Sequence, residues 1–175
     1  MHKTLEEYLL SNNLNYTKSE KKWFNSNAYF PLIIFEVKQE YNNYKIRHQF
    51  EFKESEFTKP NFINSSDSLT SRISIKSIIN IENPNIENFE IKNSNYFKKI
   101  FNKDVTFKIS TNNKILENKL LENSSIKSFF KMFINDPEFE PIISGKKENN
   151  NFCVNINFMC RNLNENYLAL FENLK

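Results

Sequence analysis

Apolar and polar positions alternate without a fault from Tyr44 to Lys53. Tyr44, Ile46, His48, Phe50 and Phe52 fall on one side and Lys45, Arg47, Gln49, Glu51 and Lys53 on the other. A period of two predicts a half-buried β-strand. The preceding segment, Leu32 to Gln39, opens on an apolar run and then alternates, so Tyr29 to Lys53 reads as a hairpin joined at Asn42-Asn43. Asparagine tolerates the left-handed backbone that two-residue hairpin turns use.

The same reading predicts a strand over about Arg72 to Ile81, with Ile73, Ile75, Ile79 and Ile81 on one face and Ile78 breaking the other. A short extended piece follows at Phe89 to Lys92, and another strand at Val105 to Ser110. Phe139 to Ser144 and Phe152 to Cys160 form a second hairpin around a polar loop, Gly145 to Asn151. Helical spacing appears in four places. Thr4-Leu5-Glu6-Glu7 fits a capping box, and Leu5, Tyr8 and Leu9 then share a face that ends near Ser11-Asn12-Asn13. Ile115, Leu116, Lys119 and Leu120 make a second face, and Ile126, Phe129, Phe130 and Phe133 a third, with Ser124 or Ser125 as N-cap and Asp136-Pro137 as stop. Leu163, Tyr167, Leu170, Phe171 and Leu174 mark a closing helix. Lys18 to Phe24 reads as one more helical turn, anchored on the core by Trp23 and Phe24, and polar Glu54 to Thr70 as a long loop. The expected fold is a single α+β domain: a mostly antiparallel sheet of about six strands with three or four helices on one face.

Composition narrows the function classes. Gly145 is the only glycine in the 175 residues, so neither a phosphate-cradling loop nor a dinucleotide-binding turn can be written. The net charge of +3 is carried by lysines interleaved with acids, which argues against a dedicated nucleic-acid binder. Heavy use of Asn, Ile, Lys and Phe against scarce Gly and Arg is what A/T-rich codons produce, so the lysines by themselves say little. No run approaches the roughly 20 apolar residues of a membrane helix and the N-terminus lacks a signal peptide's apolar core, so a cytoplasmic protein is expected. Cys153 and Cys160 stand on opposite faces of one strand, about 23 Å apart at about 3.3 Å per residue, and cannot pair there.

From about Phe89 onward, the order of the DVTFKIS strand, the helical pair, the FEPIISG hairpin and the apolar closing helix resembles a domain that recurs in uncharacterised bacterial proteins. That resemblance implies no activity and no site residues.

Candidate chemistry is sparse. His2, His48, Cys153 and Cys160 lack zinc-ligand spacing, so no metal or other cofactor is expected. His48 lies on the apolar face of the hairpin, between Ile46 and Phe50: either a core histidine bonded to its neighbours or, with Tyr44, part of a small-molecule pocket between sheet and helices. Asp136, Glu138 and Glu140 stand among two prolines around Phe139. They read as a protected edge strand, or else as an acidic contact loop for a basic protein partner or a weak divalent-cation site. Lys18, Lys21 and Lys22 beside Trp23 and Phe24 combine charge with stacking rings, the pattern of single-strand binders, but Glu20 interrupts it. The function expected from these features is non-enzymatic protein binding, an immunity-type protein that neutralises a bacterial toxin or effector being its most concrete form. A small-molecule-binding domain near His48 is the alternative.

Overall fold

A computed structural model describes residues 2–25, 28–53, 73–82, 85–93, 107–131 and 141–160. The chain opens with α1 (His2–Ser11), followed by β1 (Tyr16–Asn25), β2 (Ala28–Tyr41) and β3 (Tyr44–Lys53). Next come β4 (Ile73–Glu82), β5 (Phe89–Asn93), β6 (Phe107–Thr111), α2 (Lys114–Glu122), α3 (Ser124–Lys131), β7 (Ile142–Glu148) and β8 (Asn151–Cys160). All eight strands join one sheet in the order β1-β2-β3-β4-β8-β7-β5-β6. Every pairing is antiparallel. The fold is therefore α+β as expected, with more than the six expected strands.

Two differences account for the count. Tyr16 to Asn25, read in part as a helical turn, is an edge strand paired with β2 from Tyr16↔Val37 to Asn25↔Ala28. Its inward positions, Lys18 among them, are partly charged, so neither a helical nor a strand period shows in the sequence. Lys18 still serves the apolar side: its ammonium sits 5.3 Å from the centre of the Phe35 ring, letting the methylene stem cover the core. The second difference is at Phe89 to Asn93, a short piece that pairs on both sides, with β6 and with β7.

The alternation seen in the sequence sorts the sheet into two faces. One cross-strand row runs through all eight strands: Tyr16, Val37, His48, Ser77, Ile156, Ile143, Ile91 and Ile109. The neighbouring row contains Phe35, Phe50, Ile75 and Phe158. The three described helices pack on this face. Leu5 and Leu9 of α1 and Phe129 and Phe130 of α3 are buried in the same cluster as Phe35, Phe50, Phe107 and Phe158. Phe130 lies 5.0 Å from Phe107 and Phe129 5.4 Å from Phe158, centre to centre, which fixes α3 against both β6 and β8.

Asparagine does the work of the missing glycines. α1 closes with Asn13 at φ 53°, and the bonds Asn13 N–H to Leu10 O and Leu14 N–H to Leu9 O complete a Schellman cap. The helix itself begins at His2, so Thr4 lies inside it and is not its N-cap. Asn113 caps α2 by accepting from Ile115 N–H and Leu116 N–H. Asn123, and neither Ser124 nor Ser125, caps α3 by accepting from Ile126 N–H at 2.9 Å. The β2–β3 turn is Asn42-Asn43, as read, yet neither residue takes a positive φ. The Asn43 carbonyl accepts from Glu82 N–H, which ties that turn to β4. The β7–β8 loop shortens to Asn149-Asn150, with Asn149 at φ 55°.

Gly145 is consequently inside a strand, where its need is steric. A β-carbon there would come within 2.6 Å of the Phe152 ring and meet the Phe89 ring as well. The two rings lie 6.0 Å apart, closing over the gap the glycine leaves. Gly145→Ala should lower stability by about 1–3 kcal/mol, the usual cost of overpacking. In a Phe89→Ala background, the same substitution should cost measurably less. Urea denaturation of the four chains of that cycle checks it, and equal costs in both backgrounds would refute the steric account.

Candidate functional site

His48, the first candidate, is 2% exposed, and its Nδ1 lies 2.7 Å from Ser77 Oγ. The two residues are direct cross-strand partners on β3 and β4, and Ser77 is itself 1% exposed. α1 lies over the ring: Leu5, Tyr8, Leu9 and Leu14 enclose it together with Val37 and Phe50. The space left beside it is about 10 Å³, the room of a single water molecule and far below that of a metabolite. Tyr44 is not among the lining residues; it stacks on Tyr41 across the turn, centres 4.8 Å apart. The structure thus separates the two residues that the pocket reading places together.

Burial pushes the His48 imidazole down to about pH 4, so the ring is neutral at pH 7. Cys153 and Cys160 are both buried free thiols on opposite faces. Burial raises the Cys153 thiol, which also accepts from Asn155 Nδ2 at 3.4 Å, the setting of an unreactive cysteine. Asp136, Glu138 and Glu140 lie outside the described residues. Among the described residues no three His, Cys, Asp or Glu side chains gather as a metal would require. No helix there is long and apolar enough to cross a membrane.

Two surface features remain. The first is a trough of about 300 Å³ on the face opposite the helices, lined by Gln49, Glu51, Ser74, Lys76, Asn157 and Met159. Gln49 Nε2 donates to Glu51 Oε1 along its β3 side at 2.8 Å. The second is the far end of the β1–β2 hairpin. The β2–β3 ladder starts only at Leu32↔Lys53, whereas β1 and β2 stay paired on through Lys22↔Pro31, Trp23↔Phe30 and Phe24↔Tyr29. Among the described residues a two-stranded ribbon therefore runs on past the end of β3. Pro31, which has no N–H to offer a third strand, stands one position beyond the last described β2–β3 pair.

The ribbon is aromatic on both faces. Phe24 and Tyr29 pack on one, ring centres 5.1 Å apart, and Trp23 and Phe30 on the other at 6.1 Å. Lys53 reaches over Trp23 at 5.8 Å. Phe24 and Tyr29 are 58% and 71% exposed, against a core in which aromatic rings are almost wholly covered. No family model, curated protein or solved structure matches the chain.

The sequence picks out Trp23 and Phe24, as core anchors or as stacking rings beside lysines, but not their ribbon partners Tyr29 and Phe30. A signal was present: Asn25-Ser26-Asn27 is a run of turn formers set between two aromatic pairs. Ser77, the partner of His48, has no signature at all; it is one polar residue in an isoleucine-rich strand.

The His48 environment makes a pH prediction. Unfolded, the imidazole takes its proton near pH 6.5, but folded only near 4. Between those values the unfolded chain binds more protons, so stability is full above pH 6.5 and is lost as pH falls toward 4. The expected loss is about 3 kcal/mol from this group. His48→Leu removes the proton site, and its stability should fall less steeply over pH 6.5 to 4.5 than that of the parent. Parallel urea-derived curves for the two chains would show that His48 does not titrate in this way.

Proposed function

We propose that the chain is a non-enzymatic protein-binding module, and that its most concrete role is immunity-type: occupying a bacterial toxin or effector so that the latter cannot act. The observation that carries this reading is the aromatic end of the β1–β2 ribbon. Exposed Phe24 and Tyr29 are of no use to the core and cost solubility, while large aromatic rings are the residues that dominate binding energy at protein interfaces. Cross-strand ring packing holds them in place before any partner arrives, which reduces the ordering cost of association. His48, the most strongly shifted titratable group described, is walled in beneath α1 and serves packing. The 10 Å³ beside it is too small to hold a metabolite at that place.

Affinity purification of the tagged chain from its native cells, followed by mass spectrometry, should return one stoichiometric protein. Phe24→Ser with Tyr29→Ser should abolish its recovery while shifting the unfolding free energy by less than about 1 kcal/mol, since both side chains are exposed. For an immunity-type role, that partner expressed alone should arrest growth and coexpression of the parent chain should restore it. Recovery indifferent to the double substitution would remove the ribbon from the proposal.

A further inference from the structure

β1 is the last strand of the sheet on its side, ten residues long against five for β6 at the opposite edge. Among the described residues no strand pairs along its outer side. An open edge of that length offers a row of backbone donors and acceptors to another chain. Strand addition uses such a row, the main chain supplying affinity and the alternating side chains selecting what is added.

The side chains of β1 make that selection by charge. Thr17, Ser19, Lys21 and Trp23 lie on one face, and Lys18, Glu20, Lys22 and Phe24 on the other. Lys18 is already held by Glu6 of α1 at 2.8 Å, an acid that Tyr16 Oη also contacts at 3.2 Å. Lys21 and Lys22 are exposed and make no ion pair among the described residues. They stand one on each face, beside the aromatic end. An acidic strand laid along β1 would set carboxylates opposite both ammonium groups, whereas a basic strand would meet like charge on both faces. The observations converge on a single stretch of chain: a backbone edge and two cations on alternate faces that no described residue pairs, and an exposed aromatic pair at the end.

We infer that β1 takes up an extended acidic segment of a protein partner as an added strand, with Phe24 and Tyr29 as its apolar anchor. This rests on reading the ribbon as the partner contact and adds the partner's chemistry to it. Edge lysines also keep sheets from pairing with their own copies, and that role alone predicts no uptake of any peptide.

Trp23 is the only tryptophan in the chain, so its emission reports on this site directly. The full chain is titrated with a peptide in which Glu-Glu pairs alternate with Val-Val pairs, so that glutamates face both sides of the added strand, with the same peptide carrying lysine for glutamate, and with a short oligothymidylate. Saturable change with the acidic peptide is expected, weakening as salt rises, with slowed amide exchange in β1 and no response to the lysine peptide. Lys21→Glu with Lys22→Glu should weaken uptake by about tenfold or more. Failure to bind the acidic peptide, equal binding of the lysine peptide or of oligothymidylate, or a dimer in which β1 pairs with a second copy would each overturn the inference. If the acidic peptide is refused while partner recovery still requires Phe24 and Tyr29, the inference falls and the protein-binding reading stands. If recovery ignores those two rings, the reading itself falls.

Discussion

The His48–Ser77 hydrogen bond lies at the centre of the helix-side row that spans every described strand, and the register of the sheet turns on it. A one-residue slip between β3 and β4 would exchange the two faces and expose the isoleucines, so hydrophobicity alone forbids it. A two-residue slip is subtler. Every side chain would keep its face, and only the neighbours would change: His48 would meet Ile75 or Ile79 in place of Ser77. Two polar groups would then lose each other inside an apolar row, at about 1–3 kcal/mol for each left unsatisfied. A polar pair in the middle of a phenylalanine and isoleucine core thus selects one register among those that hydrophobicity permits. That selection propagates outward, because β8 pairs with β4 and β7 with β8.

Around that row the interior is built from phenylalanine. Rings on β2, β3, β6, β8 and α3 meet at tilted or edge-on angles. The favourable packing of that geometry adds to the area buried. So many large side chains leave little freedom of fit, and Gly145 shows where the limit is reached: two rings claim the space that any side chain would need. A chain this poor in glycine places its left-handed residues at asparagine, as Asn13 and Asn149 do. Its single glycine is kept for a close approach.

The functional end of the molecule follows a different logic. Core aromatics are enclosed by helices, whereas Phe24 and Tyr29 lie past the last β2–β3 pair, on what is among the described residues a ribbon of two strands. An isolated two-stranded ribbon is marginal in water, and cross-strand ring pairs on both faces supply part of what a third strand would. α1 steadies the other end of β1, where Glu6 accepts from Tyr16 Oη and Lys18 Nζ. The lysine holds the Glu6 carboxyl below its ordinary value and keeps it charged. One end of β1 is therefore committed to the fold and the other is presented to solvent.

Where burial imposed a regular period, the residues by themselves determined the outcome. The β2–β3 hairpin, the isoleucine face of β4, the Leu5 and Leu9 face of α1 and the opposite orientation of Cys153 and Cys160 were all legible as alternation or helical spacing. The absence of a glycine-rich phosphate loop followed from one count. Tertiary structure decided what periodicity does not encode. β1 is a strand because its backbone bonds to β2, although Lys18, Glu20 and Lys22 occupy its helix-side positions. His48 is a register contact beside a space no larger than a water molecule because α1, some forty residues earlier in the chain, closes over it. Phe24 and Tyr29 are surface residues, and aromatic character in a sequence does not say which rings the fold will cover. Local pattern follows from solvent acting on each segment, while exposure and contact depend on segments distant in the chain.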